Sequence, residues 1–196
     1  MFVRKTVYLL VFCFLVTTIS LQAQIGKYHL GLQTGFVYSN VANTWKIPNA
    51  ESKIVTNWYL NYAYSLYAGY DISRKLSVTF EPGFIDKSAY DVSLTYFQMP
   101  LHAEYSLLSG VKFFVGPELN YLISNNDYKT YRNFDLATNF GIYFNGDSGY
   151  DFGVKFSRSL TKVWKNSQFI TDEYGNENIP ANFRQYYFYV FTRYAF

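Results

Sequence analysis

The ionisable residues able to meet one another in this chain stand at alternate positions of extended-looking segments. Glu81, Glu104, Lys112, Glu118, Asp135, Asp151, Lys155 and Arg193 would share one face with Gln98, His29 and His102 if those segments are strands, because residues two apart in a strand point the same way. Carboxylates and cations on one sheltered face can form ion pairs, relay protons or line a narrow ion path. An unpaired charge out of water is expensive, so pairing is the first expectation. Register across short turns would set Glu104 near Lys112, Gln98 near Glu118 and Asp151 near Arg193. His102, Glu104 and Ser106 also alternate, a spacing that permits a hydrolytic contact. They lie toward a short turn and inside the wall, so a satisfied histidine is the simpler expectation, and no catalytic residue is assigned.

Strands must position these groups. The final stretch, Phe183 to Phe196, reads with period two: Tyr186, Phe188, Val190, Thr192, Tyr194 and Phe196 on one face, Gln185, Tyr187, Tyr189, Phe191, Arg193 and Ala195 on the other. An exposed aromatic edge of this kind templates aggregation unless it is paired or closed. Eight such segments can be marked, at about Lys27–Ser39, Asn57–Asp71, Lys75–Ile85, Val92–Ser106, Val111–Ser124, Arg132–Asn145, Tyr150–Ser159 and Phe183–Phe196. The connections Ile72–Arg74, Leu107–Gly110 and Gly146–Gly149 are short. Asn40–Thr56 and Leu160–Asn182 are long, with Asp86–Asp91 and Asn125–Tyr131 intermediate, so short and longer connections are expected to alternate. An up-and-down barrel with both chain ends on the tight-turn side requires that alternation. Aligned by their turns, Tyr28, Tyr70, Tyr105, Phe113, Phe144, Tyr150 and Tyr194 form one aromatic girdle. Tyr38, Trp58, Phe84, Phe97, Tyr121, Phe134, Phe156 and Tyr186 form the other.

The terminal Phe196, with Tyr194 and Phe188 at alternate positions before it, resembles the last strand of Gram-negative outer-membrane β-barrel proteins. A second stretch, Tyr96-Phe97-Gln98-Met99-Pro100-Leu101-His102-Ala103-Glu104-Tyr105, resembles the Tyr-x-x-x-Pro-Leu strand of the PorT-like outer-membrane barrels of Bacteroidota. The resemblance implies a small outer-membrane barrel, a terminal signal at Phe188, Tyr194 and Phe196 read by the barrel-assembly machinery, and, for one branch, a part in a secretion assembly. It implies an architecture more than an activity.

Composition agrees. The chain is 22% aromatic and only 16% charged, yet after residue 23 no run is long enough for a transmembrane helix. A barrel hides its hydrophobicity in every second residue. Residues 1–23 read as a secretory signal peptide, with Arg4 and Lys5 before an apolar run from Val7 to Ile19 and Ala23 at the cut. Residues 24–196 then form one barrel domain. The run falls short of the ~20 residues that span a bilayer. The only cysteine, Cys13, lies within it, which excludes disulfides and thiol chemistry from the rest. Cleavage removes two of 17 basic residues against 14 acidic ones, leaving a net charge of about +1 and no basis for nucleic-acid binding.

A water-soluble barrel of lipocalin type would turn the alternation inside out. Against it, the polar face carries small residues such as Gly31, Gly35, Ala63, Ser65 and Gly141 instead of many Lys and Glu. The expectation is therefore an all-β, eight-stranded antiparallel up-and-down transmembrane barrel in the outer membrane, non-enzymatic, with a plugged polar lumen. Its role would be structural or interaction-based, with a narrow channel and a lipid-modifying enzyme as the alternatives. The long connections carry Trp45, Trp164, Phe169 and Tyr174 among mixed charges, a candidate surface for a protein partner. Asp172, Glu173, Asn176 and Glu177 offer oxygen ligands but fail the Ca²⁺-loop spacing. No metal or cofactor is expected, and outer-membrane lipid is the expected surroundings.

Overall fold

The computed structural model describes residues 27–43, 58–89, 92–124, 131–146, 148–162, 169–170, 179–180 and 183–196. The only regular structure among them is strand: β1 Tyr28–Asn43, β2 Tyr59–Asp71, β3 Leu76–Phe80, β4 Gly83–Ala89, β5 Val92–Leu108, β6 Val111–Ser124, β7 Phe134–Asn145, β8 Tyr150–Ser159, β9 Phe169–Ile170, β10 Ile179–Pro180 and β11 Phe183–Ala195. The proposed signal peptide, residues 1–23, lies outside the described residues.

Every neighbouring pair in the wall is antiparallel, and β1 pairs with both β2 and β11, so the sheet closes on itself. β3 and β4 are one stave interrupted at Glu81 and Pro82. The pairing with β2 keeps its register across the break, Ala68 opposite Phe80 and Ser65 opposite Gly83. Pro82 has no N–H to give the ladder, but its carbonyl accepts from Leu66 at 3.0 Å, and the Glu81 N–H donates to Pro100 O at 3.0 Å. With β3 and β4 counted together, the wall is a closed eight-stranded antiparallel barrel.

Alternation sets the two faces as period two requires. Phe188, Val190 and Tyr194 of β11 are exposed outward, while Tyr187, Tyr189 and Arg193 are buried inside. Outward rings contact one another across staves, Tyr28 with Tyr70 at 5.1 Å and Tyr150 with Tyr194 at 4.8 Å near the tight turns. Near the other end Tyr38 stacks on Trp58 at 4.7 Å. Two turns end on glycines with positive φ, Gly110 (78°) and Gly149 (79°), which only glycine adopts without strain. Inside, aromatic rings lie against glycines: a Cβ on Gly141 would stand 2.8 Å from Phe114 Cε1, and one on Gly153 would stand 2.6 Å from Tyr143 Cβ. The small inward residues make room for Tyr67, Phe114, Tyr143 and Phe191 in an interior only just wide enough for side chains.

The segment Asp86–Asp91 is not an intermediate connection. β4 continues through Asp86, Lys87 and Ser88 to Ala89, paired with β5 down to Ala89 opposite Val92, so only residues 90 and 91 separate the two strands. Short and long connections therefore do not strictly alternate. The polar composition read as loop belongs to a strand whose outward residue Asp86 is satisfied by the Thr95 hydroxyl at 2.7 Å. Within the connection expected over Leu160–Asn182, β9 and β10 form a short ladder, Ile179 opposite Ile170 and Pro180 opposite Phe169.

Candidate functional site

The inward face carries a continuous column of charge. Nearest the tight turns, the Arg193 guanidinium reaches across the lumen from β11. It bonds Glu81, donates from Nη1 to Glu104 Oε1 at 3.1 Å, and donates from Nε to Gln33 Oε1 at 2.5 Å. It also lies over the Tyr143 ring at 4.5 Å and the Tyr67 ring at 5.2 Å. The Tyr143 hydroxyl donates to Glu104 Oε2 at 2.6 Å, and His102 Nδ1 stands 3.1 Å from Glu81 Oε1. Lys112, partly exposed at the mouth, approaches Glu104 at 4.0 Å.

Lys155 links this group to a second one, with its ammonium 3.9 Å from Glu81 and 3.8 Å from Glu118. Glu118 takes Lys87 at 3.3 Å, the Tyr187 hydroxyl at 2.5 Å and the Asn139 amide at 3.1 Å. Toward the other end Asp135 accepts from Asn120 (3.2 Å), Ser159 (2.8 Å) and Thr161 (2.7 Å), and lies 4.0 Å from Lys87. Glu81, Glu104, Glu118 and Asp135 thus face Lys87, Lys112, Lys155 and Arg193, four charges of each sign. Glu81, Glu118, Gln98, His102, Asn120 and Asn139 have 0% exposure, so the middle of the lumen is closed to solvent.

The sequence places most of this column on the right face and misassigns some partners. Glu104 and Lys112 do meet. Arg193 stands opposite Asp151 in the β8–β11 register, but its guanidinium turns to Glu81, Glu104 and Gln33, while Asp151 accepts from Asn145 at 3.1 Å. Neighbouring register cannot see contacts made across a lumen. Gln98 does not bond Glu118: Gln98 lies opposite Asn120, and Pro100 lies opposite Glu118. His29 sits at the tight-turn mouth against Asp71 at 2.7 Å. Lys87 was missed with the end of its strand, and the sequence assigns no role to the hydroxyls of Tyr143 and Tyr187, which bind the column.

Glu81, His102 and Glu104 bring three ligand atoms within 4.8 Å of one another, a spacing able to hold a cation. The Arg193 guanidinium already bonds both carboxylates and takes that role. The alternation of His102, Glu104 and Ser106 builds no relay: His102 is held by Glu81 and packs on Phe114 at 4.7 Å, while Ser106 lies opposite Lys112. Of the candidate loop aromatics, Trp45, Trp164 and Tyr174 lie outside the described residues, and Phe169 is in β9.

No family model matches the chain, and no curated protein matches it. Among solved structures it is similar to Ail, the attachment invasion locus protein of Yersinia pestis, at 12% identity and a TM-score of 0.51, over 87% of this chain and 100% of that one. The fold is that of a small outer-membrane barrel. Neisserial surface protein A (13% identity, TM-score 0.48, 85% of this chain and 97% of that one) is a further structural neighbour. So is OprG of Pseudomonas aeruginosa (12%, 0.46, 87% and 96%). At these identities the likeness concerns the barrel, and the charged column is read from this chain's own residues.

Proposed function

We propose that this outer-membrane-type barrel does not conduct and works through its outer surface, as a non-enzymatic binding protein or as the barrel component of an envelope assembly. The filled lumen carries the reading: among the described residues, eight paired charges and seven buried inward aromatic rings occupy an interior that eight strands leave only just wide enough for side chains. A catalytic site for lipid would have to face lipid, whereas His102 and Glu104 face the closed interior. The connections beyond β1 and β8, with Trp45, Trp164, Phe169 and Tyr174, are the proposed recognition surface for a protein partner. The resemblance to PorT-like barrels supports the assembly branch. The attachment role in the name of Ail supports the binding branch by analogy of fold.

In the same reading residues 1–23 direct secretion and are removed, both chain ends face the periplasm, and the outward rings at the two ends of the staves are interfacial girdles. Single-channel recording of the refolded mature protein in a planar bilayer tests the lumen. The expected result is a folded, heat-modifiable barrel without stable current. Reproducible unitary conductance would replace this reading with the narrow channel and make Glu81, Glu118 and Lys155 its lining.

The proposed assembly signal gives a second expectation. Phe196 is exposed, packs edge-on to Tyr194 at 5.8 Å, and its N–H donates to Leu30 O at 2.9 Å, so it adds little buried area to the finished barrel. Deleting Phe196 should lower the amount of barrel in the outer membrane while leaving the unfolding midpoint of the refolded protein near that of the parent. Unchanged membrane levels would show that the terminal aromatic is not read during insertion.

A further inference from the structure

The eleven cations among the described residues are unevenly placed. Lys27, Arg74 and Lys75 stand at the tight-turn end, and Lys87, Lys112, Lys155 and Arg193 line the lumen. The remaining four, Arg132, Arg158, Lys162 and Arg184, gather at the loop end of three consecutive staves, β7, β8 and β11. Arg158 and Arg184 are on the outward, lipid-side face. Arg158 lies opposite Thr138 on β7 and opposite Tyr186 on β11. Arg184 precedes Tyr186 by two residues on that face and is therefore the diagonal neighbour of Arg158, about 7–8 Å away across the pair. The pairing runs on past β8, with the Leu160 N–H donating to Leu136 O at 2.7 Å, and brings Lys162 to the next position out. Among the described residues neither Arg158, Lys162 nor Arg184 forms an ion pair with a carboxylate. Among the described residues the outward acid at this end is Asp86 of β4, which is diametrically opposite β8 in the ring.

One same-face step below Arg158, and two below Arg184, the same three staves present a row of rings. Phe140, Phe156 and Phe188 are in register, with centroids 5.4 and 4.9 Å apart, and exposed Val154 and Val190 lie beneath them. Two residues of strand rise, about 6–7 Å, separate the ring row from Arg158, and four, about 13 Å, separate it from Arg184, with Tyr186 between. A surface that is apolar in the bilayer and carries two cations at successive outward positions above it matches an amphiphile with acyl chains below and phosphates at the interface. A soluble polyanion would be met by cations on loop tips, whereas these stand on the lipid side of the wall.

We propose that Arg158 and Arg184, with Lys162 beside them, form a binding site for a phosphorylated, multiply acylated glycolipid of the outer leaflet, of the lipid A type. Arginine suits this role because its planar fork donates to phosphate oxygens in pairs. The site rests on the orientation proposed above, with the loop end outside, and is independent of whether the lumen conducts.

Native mass spectrometry of the refolded mature protein tests it, with bisphosphorylated lipid A, lipid A stripped of both phosphates, and phosphatidylglycerol as probes. Wild type should retain bisphosphorylated lipid A, and losing the phosphates should weaken retention by about tenfold or more. Arg158→Gln/Arg184→Gln should lose it to the same extent while keeping heat-modifiable mobility, and Lys75→Gln at the other end should retain it. The wild-type comparison of the two lipid A forms stands even if the double variant does not fold. Retention indifferent to the phosphates, or equal in the double variant, would overturn the site. Preference for phosphatidylglycerol would overturn it through the orientation, and surface labelling of the loop end would then report a periplasmic location.

Discussion

Replacing Arg193 by methionine should destabilise the barrel by about 3–5 kcal/mol, the range found when one partner of a buried ion pair is removed. The guanidinium is the direct partner of both Glu81 and Glu104, and those carboxylates have 0% and 2% exposure. His102 and Lys155 remain near Glu81, and Tyr143 remains on Glu104, so the loss is partial compensation and not collapse. Urea unfolding of the protein refolded in a lipid bilayer, followed by tryptophan fluorescence and gel mobility, measures the change. Adding Glu81→Gln and Glu104→Gln to Arg193→Met should recover much of the loss, because the penalty belongs to the orphaned charges. A single variant as stable as wild type would mean that the column contributes no net pairing.

An arginine at Val115 should cost about 2–4 kcal/mol if that residue lies near the bilayer midplane. Val115 is outward on β6, 44% exposed, between Ala103 of β5 and Phe140 of β7. The same change at Ser167, in the sequence between β8 and β11, is expected to leave stability within about 0.5 kcal/mol. The penalty is depth-dependent and falls to ~0–1 kcal/mol at the interface, which is where the proposed lipid site puts Arg158 and Arg184. Equal tolerance at Val115 and Ser167 in the same unfolding assay would refute the outward facing of β6.

The wall was legible in the sequence because period two decides facing before any contact is known. Phe188, Val190 and Tyr194 could be set outward, and Gln185, Tyr187 and Arg193 inward, from alternation alone. The end of the third stave was lost for a physical reason. Asp86, Lys87 and Ser88 are polar like a loop, yet this stretch pairs with β5 as far as Ala89, and its inward Lys87 becomes a partner of Glu118. The charged residues of the column were nearly all found, since a charge on the inward face of an aromatic chain stands out. Their partners were found less well. Arg193 is three staves from Glu81's stave, past β1 and β2, and β11 and β5 do not touch in the ladder; such pairs follow from lumen diameter and side-chain reach, which spacing does not contain. Tyr143 and Tyr187 carry no charge to mark them, and only the geometry shows their hydroxyls on Glu104 and Glu118.

The position of Arg193 on the last stave also fixes an order of events. Its partners Gln33, Glu81 and Glu104 lie on the first, third and fourth staves, up to 160 residues earlier in the chain. Until β11 takes its place in the wall those two carboxylates have no guanidinium, so zipping the seam and pairing Glu81 and Glu104 with Arg193 belong to one step. Contacts of such sequence separation are slow to form. A chain that stops before β11 would lack both the seam with β1 and the guanidinium partner of Glu81 and Glu104.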